Sequence, residues 1–238
     1  MFKNKHFYHQ HIRNTIVAFG VLFNNIYIKR KEEDGDTAQL FKVPLHYGPK
    51  QKTMARLANA PDLEKGRSPF EVLTPRMAFE ITSLVYDPTR KLPPTQTVRS
   101  LADAGAVRQA YVSTPYNMGV GLSVLAKNQD DGMQVVEQIL PYFNPDFNIT
   151  VNEIADLGVK RDLQFVLNGV TLTDDYQGPM TDRVKYIWDL SFTIKMNFFG
   201  YVQDAAVIKK TIASVYASLV GGDGMRITTT PNPTDADP

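Results

Sequence analysis

The sequence contains no cysteine. Disulfides, thiol nucleophiles and cysteine-based zinc sites are therefore excluded, and stability has to come from packing or from association. Histidine occurs four times, three of them (His6, His9 and His11) near the N-terminus. A metal site there would need further ligands from elsewhere, and none is suggestively spaced, so these histidines read as a solvated arm. No apolar run approaches the roughly 20 residues that a membrane helix needs. Polar residues follow Met1 where a signal peptide would place an apolar segment and a cleavage site, so no signal peptide is expected.

Signatures of catalysis are missing too. There is no Gly-x-Ser-x-Gly elbow and no phosphate-binding loop, and Gly119-x-Gly121 lacks the third glycine and the helix of a dinucleotide site. Small residues on a strand's outer face more often let another backbone approach. Asn128-Gln129-Asp130-Asp131-Gly132 lacks the alternating acidic ligands and closing Glu of a calcium loop. Carboxylate pairs fall in turns, where nothing desolvates them for acid–base work. The expectation is a protein with no enzymatic activity, no cofactor and no metal.

What remains is a globular chain of 238 residues, 43% of them hydrophobic, long enough to bury a real core. Net charge is only +1 but unevenly spread. Residues 1–100 hold 16 Lys/Arg against 9 Asp/Glu, whereas residues 101–238 hold 10 against 16. The plainer reading is ordinary scatter of surface charge. The sharper alternative is a molecule with one basic and one acidic side, suited to head-to-tail contacts or to proximity to DNA.

Periodicity outlines the elements. Over residues 11–25, Ile12, Ile16, Phe19 and Phe23 mark one face of an amphipathic helix. Ile26 and Ile28, a polar turn with Asp34-Gly35, then Phe41, Val43 and Leu45 read as a hairpin whose second strand, holding Pro44, lies at an edge. Residues 49–60 predict a short helix. Met77, Phe79 and Ile81 predict a strand, and residues 87–94 a rigid basic loop, while 95–106 are uninformative. Met118, Val120, Leu122 and Val124 alternate as another strand. A second helix starts near Asp130-Asp131, with Asp131 as cap, Gln134 reaching back, and Val136, Ile139/Leu140 and Phe143 on its apolar face.

The clearest pattern runs from Val184 to Phe198, where every second residue is apolar and only Ile187 breaks the alternation. This predicts one strand of roughly 50 Å, at about 3.3 Å per residue. Its expected partner is 160–172, where Leu163, Phe165 and Leu167 change phase to Val170 and Leu172 across Asn168-Gly169, the mark of a β-bulge. The architecture expected is α+β: a mostly antiparallel sheet with helices on one side and long hairpins. Residues 1–216 read as one domain and 217–238, rich in Gly, Thr and Pro, as a flexible arm.

Several segments, in order along the chain, resemble the tail-sheath stabiliser (tail-completion) proteins of T4-like contractile phages. The most specific is Val135-Val136-Glu137-Gln138-Ile139-Leu140-Pro141-Tyr142-Phe143-Asn144-Pro145-Asp146-Phe147-Asn148-Ile149-Thr150. The others are Leu22-Phe23-Asn24-Asn25-Ile26-Tyr27-Ile28-Lys29-Arg30, Val43-Pro44-Leu45-His46-Tyr47, Leu73-Thr74-Pro75-Arg76 and Lys160-Arg161-Asp162-Leu163. The resemblance implies a tail-terminator-like α+β fold assembled as a homohexameric ring. In a virion, such a ring caps the tail tube and the last sheath layer at the head-proximal end, and is assembled in the host cytoplasm. Its partners would be copies of itself, the sheath and tube proteins and the neck or head-completion proteins. DNA would only pass through, and no membrane is involved.

Exposure in loops nominates Tyr47, Gly48, Pro49 and Lys50, Asp87, Arg90 and Lys91, and Asp174, Asp175 and Tyr176 as interface residues, together with the rest of the 173–182 loop and the C-terminal tail. The alternative function is a DNA-contacting neck or connector protein, with Lys29-Arg30-Lys31 and Arg90-Lys91 touching phosphates. No aromatic residues interleave with those cations as a stacking platform requires.

Overall fold

The structure is a computed structural model that describes residues 6–31, 37–58, 75–101, 107–144, 146–154, 158–175, 185–205, 211–215 and 225–229. Its elements are helices α1 (His11–Phe23), α2 (Lys50–Ala58) and α3 (Gln129–Ile139), and strands β1 (Tyr27–Lys31), β2 (Thr37–Lys42), β3 (Leu45–Tyr47), β4 (Arg76–Tyr86), β5 (Thr97–Leu101), β6 (Val107–Tyr111), β7 (Thr114–Ala126), β8 (Asp146–Ile154), β9 (Val159–Asp175), β10 (Lys185–Phe198), β11 (Gln203–Ala205), β12 (Thr211–Val215) and β13 (Met225–Thr229). The α+β class expected from the pattern is the one observed.

A six-stranded sheet in the order β3-β4-β7-β10-β9-β8 organises the molecule. Every pair is antiparallel except β3 with β4. The alternating segment is β10, which lies at the centre and pairs with β7 from Tyr186 opposite Ala126 to Phe198 opposite Thr114. The phase change in β9 is a bulge as expected: Ser191 faces Gly169 and Phe192 faces Leu167, leaving Asn168 as the extra residue.

One face of the sheet carries the main core. Leu190, Phe192, Ile194 and Met196 of β10 and Met118, Val120, Leu122 and Val124 of β7 are buried beneath Phe19 and Phe23 of α1 and Val135, Val136 and Ile139 of α3. Phe19 lies 5.3 Å from Phe192 and 5.1 Å from Phe79, centroid to centroid, and Phe143 lies 5.2 Å from Phe192. Tilted and edge-on rings at such spacings add to area burial. On α1 the buried stripe is Thr15, Phe19 and Phe23, whereas Ile12, expected inside, is 39% exposed.

The helices do not all lie on one side. His46 and Ala78 are register partners on the face opposite Phe79, and His46 meets the buried Thr53 of α2. The single α2 turn-and-helix therefore covers the second face of the sheet near β3 and β4. Ile187, the residue that broke the alternation, belongs to this same face beside its register partner Leu125, and both are buried.

Smaller ladders flank this body. β1 pairs with β2 as the predicted hairpin, with the turn itself outside the described residues. Pro44 then separates β2 from β3, which leaves for the edge of the main sheet. The uninformative stretch contains β5, in a three-stranded sheet ordered β11-β6-β5 over a satellite core of Ala110, Ile154 and Phe199. β12 and β13 form a separate antiparallel hairpin.

The reading of the α3 start needs correction. Asn128 occupies the N-cap without a side-chain hydrogen bond, and Asp131 turns inward to Arg30 Nη2 at 2.7 Å. Gln134 faces β1: Lys29 N–H donates to its Oε1 (3.0 Å) and its Nε2 donates to Lys29 O (3.0 Å). Gln138 Nε2 likewise donates to Tyr27 O at 2.7 Å. Two glutamines one helical turn apart thus act on the free edge of β1 as a neighbouring strand would.

Candidate assembly interface

The nominated residues gather at opposite ends of the sheet. β3 pairs at Tyr47 with Phe79, whose row continues through Leu122 and Leu190 to Val170. Tyr47 and Val170 therefore share one row, about 19 Å apart across four strand spacings, and Asp174 lies four residues further along β9 in the same half of the sheet. Residues 87–91 follow the far end of β4.

At the first end, Tyr47 is 56% exposed and rests edge-on against Phe79, ring centroids 5.4 Å apart. Gly48 has φ +154°, a conformation that side chains rarely adopt, and its N–H donates to Phe79 O at 2.9 Å. That kink lets Pro49 begin the turn into α2, with its carbonyl accepting from Lys52 N at 3.1 Å. Lys50 folds back over the sheet, its Nζ 2.6 Å from Asp189 Oδ2, while Ser123 Oγ donates to Asp189 Oδ1 at 2.6 Å.

These three side chains line a cleft of about 270 Å³ with Glu80, Thr82 and Thr171. Asp189 of β10 is thereby tied to Ser123 of β7 and to Lys50 at the start of α2. Across the sheet, Asp174 is exposed, and Asp175 closes β9. Tyr176 and the 176–182 part of the nominated loop, like the C-terminal tail beyond 229, lie outside the described residues.

At the other end, Asp87 is a structural clamp, only 7% exposed. It accepts from Thr89 N (3.0 Å), Arg90 Nε (2.8 Å) and Asn117 Nδ2 (3.3 Å). Arg90 Nη2 also donates to Tyr116 O at 3.0 Å. The side-chain bonds from Arg90 and then Thr89 hold the Asp87 carboxyl far below the usual carboxylate range. Of the three residues nominated here, Lys91 is the one that remains exposed.

Sequence reasoning missed the strongest feature of the surface, the unequal closure of the sheet edges. β8 pairs with β9 only as far as Val166, and β3 pairs with β4 only as far as Phe79. Among the described residues, no strand pairs with residues 167–175 of β9 on that side. Exposure rises at the same point, with Asn168, Gly169 and residues 171–174 all exposed. The signal in the sequence was the mismatch in strand length, nine residues in β8 against 17 in β9. Among the described residues, no helix is long and apolar enough to cross a membrane, and no group of three or more His, Asp or Glu could hold a metal.

Comparison with known proteins follows the same line. A family model described as the T4-like virus Myoviridae tail sheath stabiliser matches residues 6–238. The tail completion protein gp15 of Enterobacteria phage T4 is 30% identical over 228 residues, which span 92% of this chain and 83% of that protein.

Proposed function

The chain belongs to the tail sheath stabiliser family of T4-like viruses, and from that membership we propose that it works as a hexameric ring at the head-proximal end of a contractile tail. The ring caps the tube, holds the last layer of sheath and joins the tail to the neck. Its partners are further copies of the chain, the sheath and tube proteins, and the neck proteins, and DNA passes through the lumen without being held. No bond is made or broken.

The observation that carries this reading is the polarity of the main sheet. β3 and β4, from the basic first hundred residues, form one margin, and β9 and β8, from the acidic remainder, form the other. Each margin is half open, β4 beyond Phe79 and β9 beyond Val166, among the described residues. Unlike margins on opposite sides are what a heterologous contact needs, and such contacts close into rings when the rotation allows.

The DNA-contacting alternative has less support. Arg30 is held by Asp131 and lies over the Phe41 ring, and Arg90 is held by Asp87. Neither guanidinium is presented for phosphate.

The test is oligomer mass measured together with low-resolution imaging, and tails assembled without the protein. Rings on tube ends, and sheath that detaches in their absence, are the expected results. A monomer that leaves sheath–tube complexes unaltered contradicts the proposal.

A further inference from the structure

We propose that residues 169–173 of β9 are a strand-accepting edge, and that β12 of a second copy of this chain fills it. The inference rests on the ring proposed above and names the contact that builds it.

The first observation is an edge that no strand pairs with among the described residues. Exposed edges are usually blunted by charge, proline or a covering element. This protein does so at β1, where Gln134 and Gln138 take up the free backbone groups. At β9 the run Gly169-Val170-Thr171-Leu172-Thr173 contains neither charge nor proline, and Leu172 is 40% exposed.

The second observation is a pair of strands in need of a sheet. β12 and β13 pair only with each other among the described residues. A two-stranded hairpin of five residues a side is marginal alone in water and gains stability when a third strand is added. The sequence of β12, Thr-Ile-Ala-Ser-Val, is as free of charge and proline as the edge it would meet.

Charge sets direction and register. In the sequence, Lys209 and Lys210 immediately precede β12, and Asp174 and Asp175 end β9. Antiparallel addition that brings the two lysines beside the two aspartates aligns Ile212 with Leu172 and Ala213 with Thr171. Parallel addition, or a shift by one residue, separates the charges or turns the apolar residues to the wrong face.

The cysteine-free background allows a direct test. Chains carrying Leu172→Cys are mixed with chains carrying Ile212→Cys, and Thr171→Cys with Ala213→Cys, then oxidised. Neighbouring strands are about 4.8 Å apart, within disulfide reach for aligned residues. The expected result is a dimer-sized product in either mixture, several-fold above that from the out-of-register mixture of Leu172→Cys with Val215→Cys. A chain carrying both Leu172→Cys and Ile212→Cys should give a ladder of covalent multimers.

Loss of thiols in that double variant without a ladder means that the hairpin closes on its own β9, which overturns the proposal. Absence of product in both mixtures, from chains that still form rings by mass, overturns the contact and leaves the ring standing. Chains that stay monomeric beside sheath–tube complexes overturn both. Two pairs on opposite faces of β9 keep the test meaningful if one variant misfolds.

Discussion

At the scale of single residues, close approach and paired charge decide more than propensity does. Gly132 lies in the first turn of α3, where alanine would ordinarily favour the helix by about 1 kcal/mol. A Cβ at that position would lie 2.7 Å from Trp188 Nε1, on a rigid ring. Gly132→Ala should therefore destabilise the protein by about 1–3 kcal/mol, the usual cost of overpacking. An unchanged or raised denaturation midpoint would contradict this account. Arg30 and Asp131 make an unequal pair, with side chains 33% and 3% exposed. Arg30→Ala leaves a buried carboxylate without its partner and should cost toward the low end of about 3–5 kcal/mol, softened by the free N–H groups of the helix start. Asp131→Asn leaves a cation that water can reach, and should cost clearly less. Chemical denaturation of the two variants checks the order, and the reverse order would sink the argument.

At the scale of elements, α1 is fastened at its start by a histidine in an unusual state. His11 stands edge-on to Phe198, 5.9 Å away between centroids, and among the described residues its buried Nε2 has no hydrogen-bond partner. Burial first, and the charge of His9 second, push its pKa from 6.5 down to about 4. The unfolded chain thus takes up a proton that the folded chain refuses. Docking of α1 should be complete above pH 6.5 and weaken as pH falls from there to about 4. Thermal unfolding at about pH 7.5 and about pH 4.5 should show a larger loss for the natural chain than for His11→Gln. Parallel losses would mean that His11 is not the group responsible. The contrast between β1 and β9 belongs to this scale as well. One edge is closed by glutamine amides from a helix, and the other, among the described residues, has no paired strand after the bulge at Asn168.

At the scale of the molecule, chain order and spatial order combine to make two unlike margins. The crossover from β7 through α3 to β8 places β8 and β9, from the acidic remainder of the chain, on the far side of β10 from β3 and β4, which come from the basic first hundred residues. The nominated loops are then distributed between the two ends of the sheet, Tyr47 with Asp174 at one and Lys91 at the other. Of the residues nominated for exposure, Asp87 is buried, while Arg90 and Lys50 are half-exposed and each held by an intramolecular ion pair. Such a body fits contacts that are directional and repeated, as the proposed ring requires.

Local periodicity settled much of this fold before any tertiary contact was known. The alternation of β10, the phase change at Asn168-Gly169 and the apolar stripe around Phe19 and Phe23 are properties of a chain segment, because side-chain direction follows backbone period alone. The family could be read as well, from segments such as 135–150. Tertiary structure alone decided that α2 lies on the opposite face, that Asp131 reaches Arg30 where a helix cap was expected, and that Ile187 is buried against Leu125. The same holds for the open stretch of β9, since a free edge depends on where a separate strand stops. Pairing and partner choice join residues far apart in sequence, and no local pattern encodes which of two compatible partners arrives.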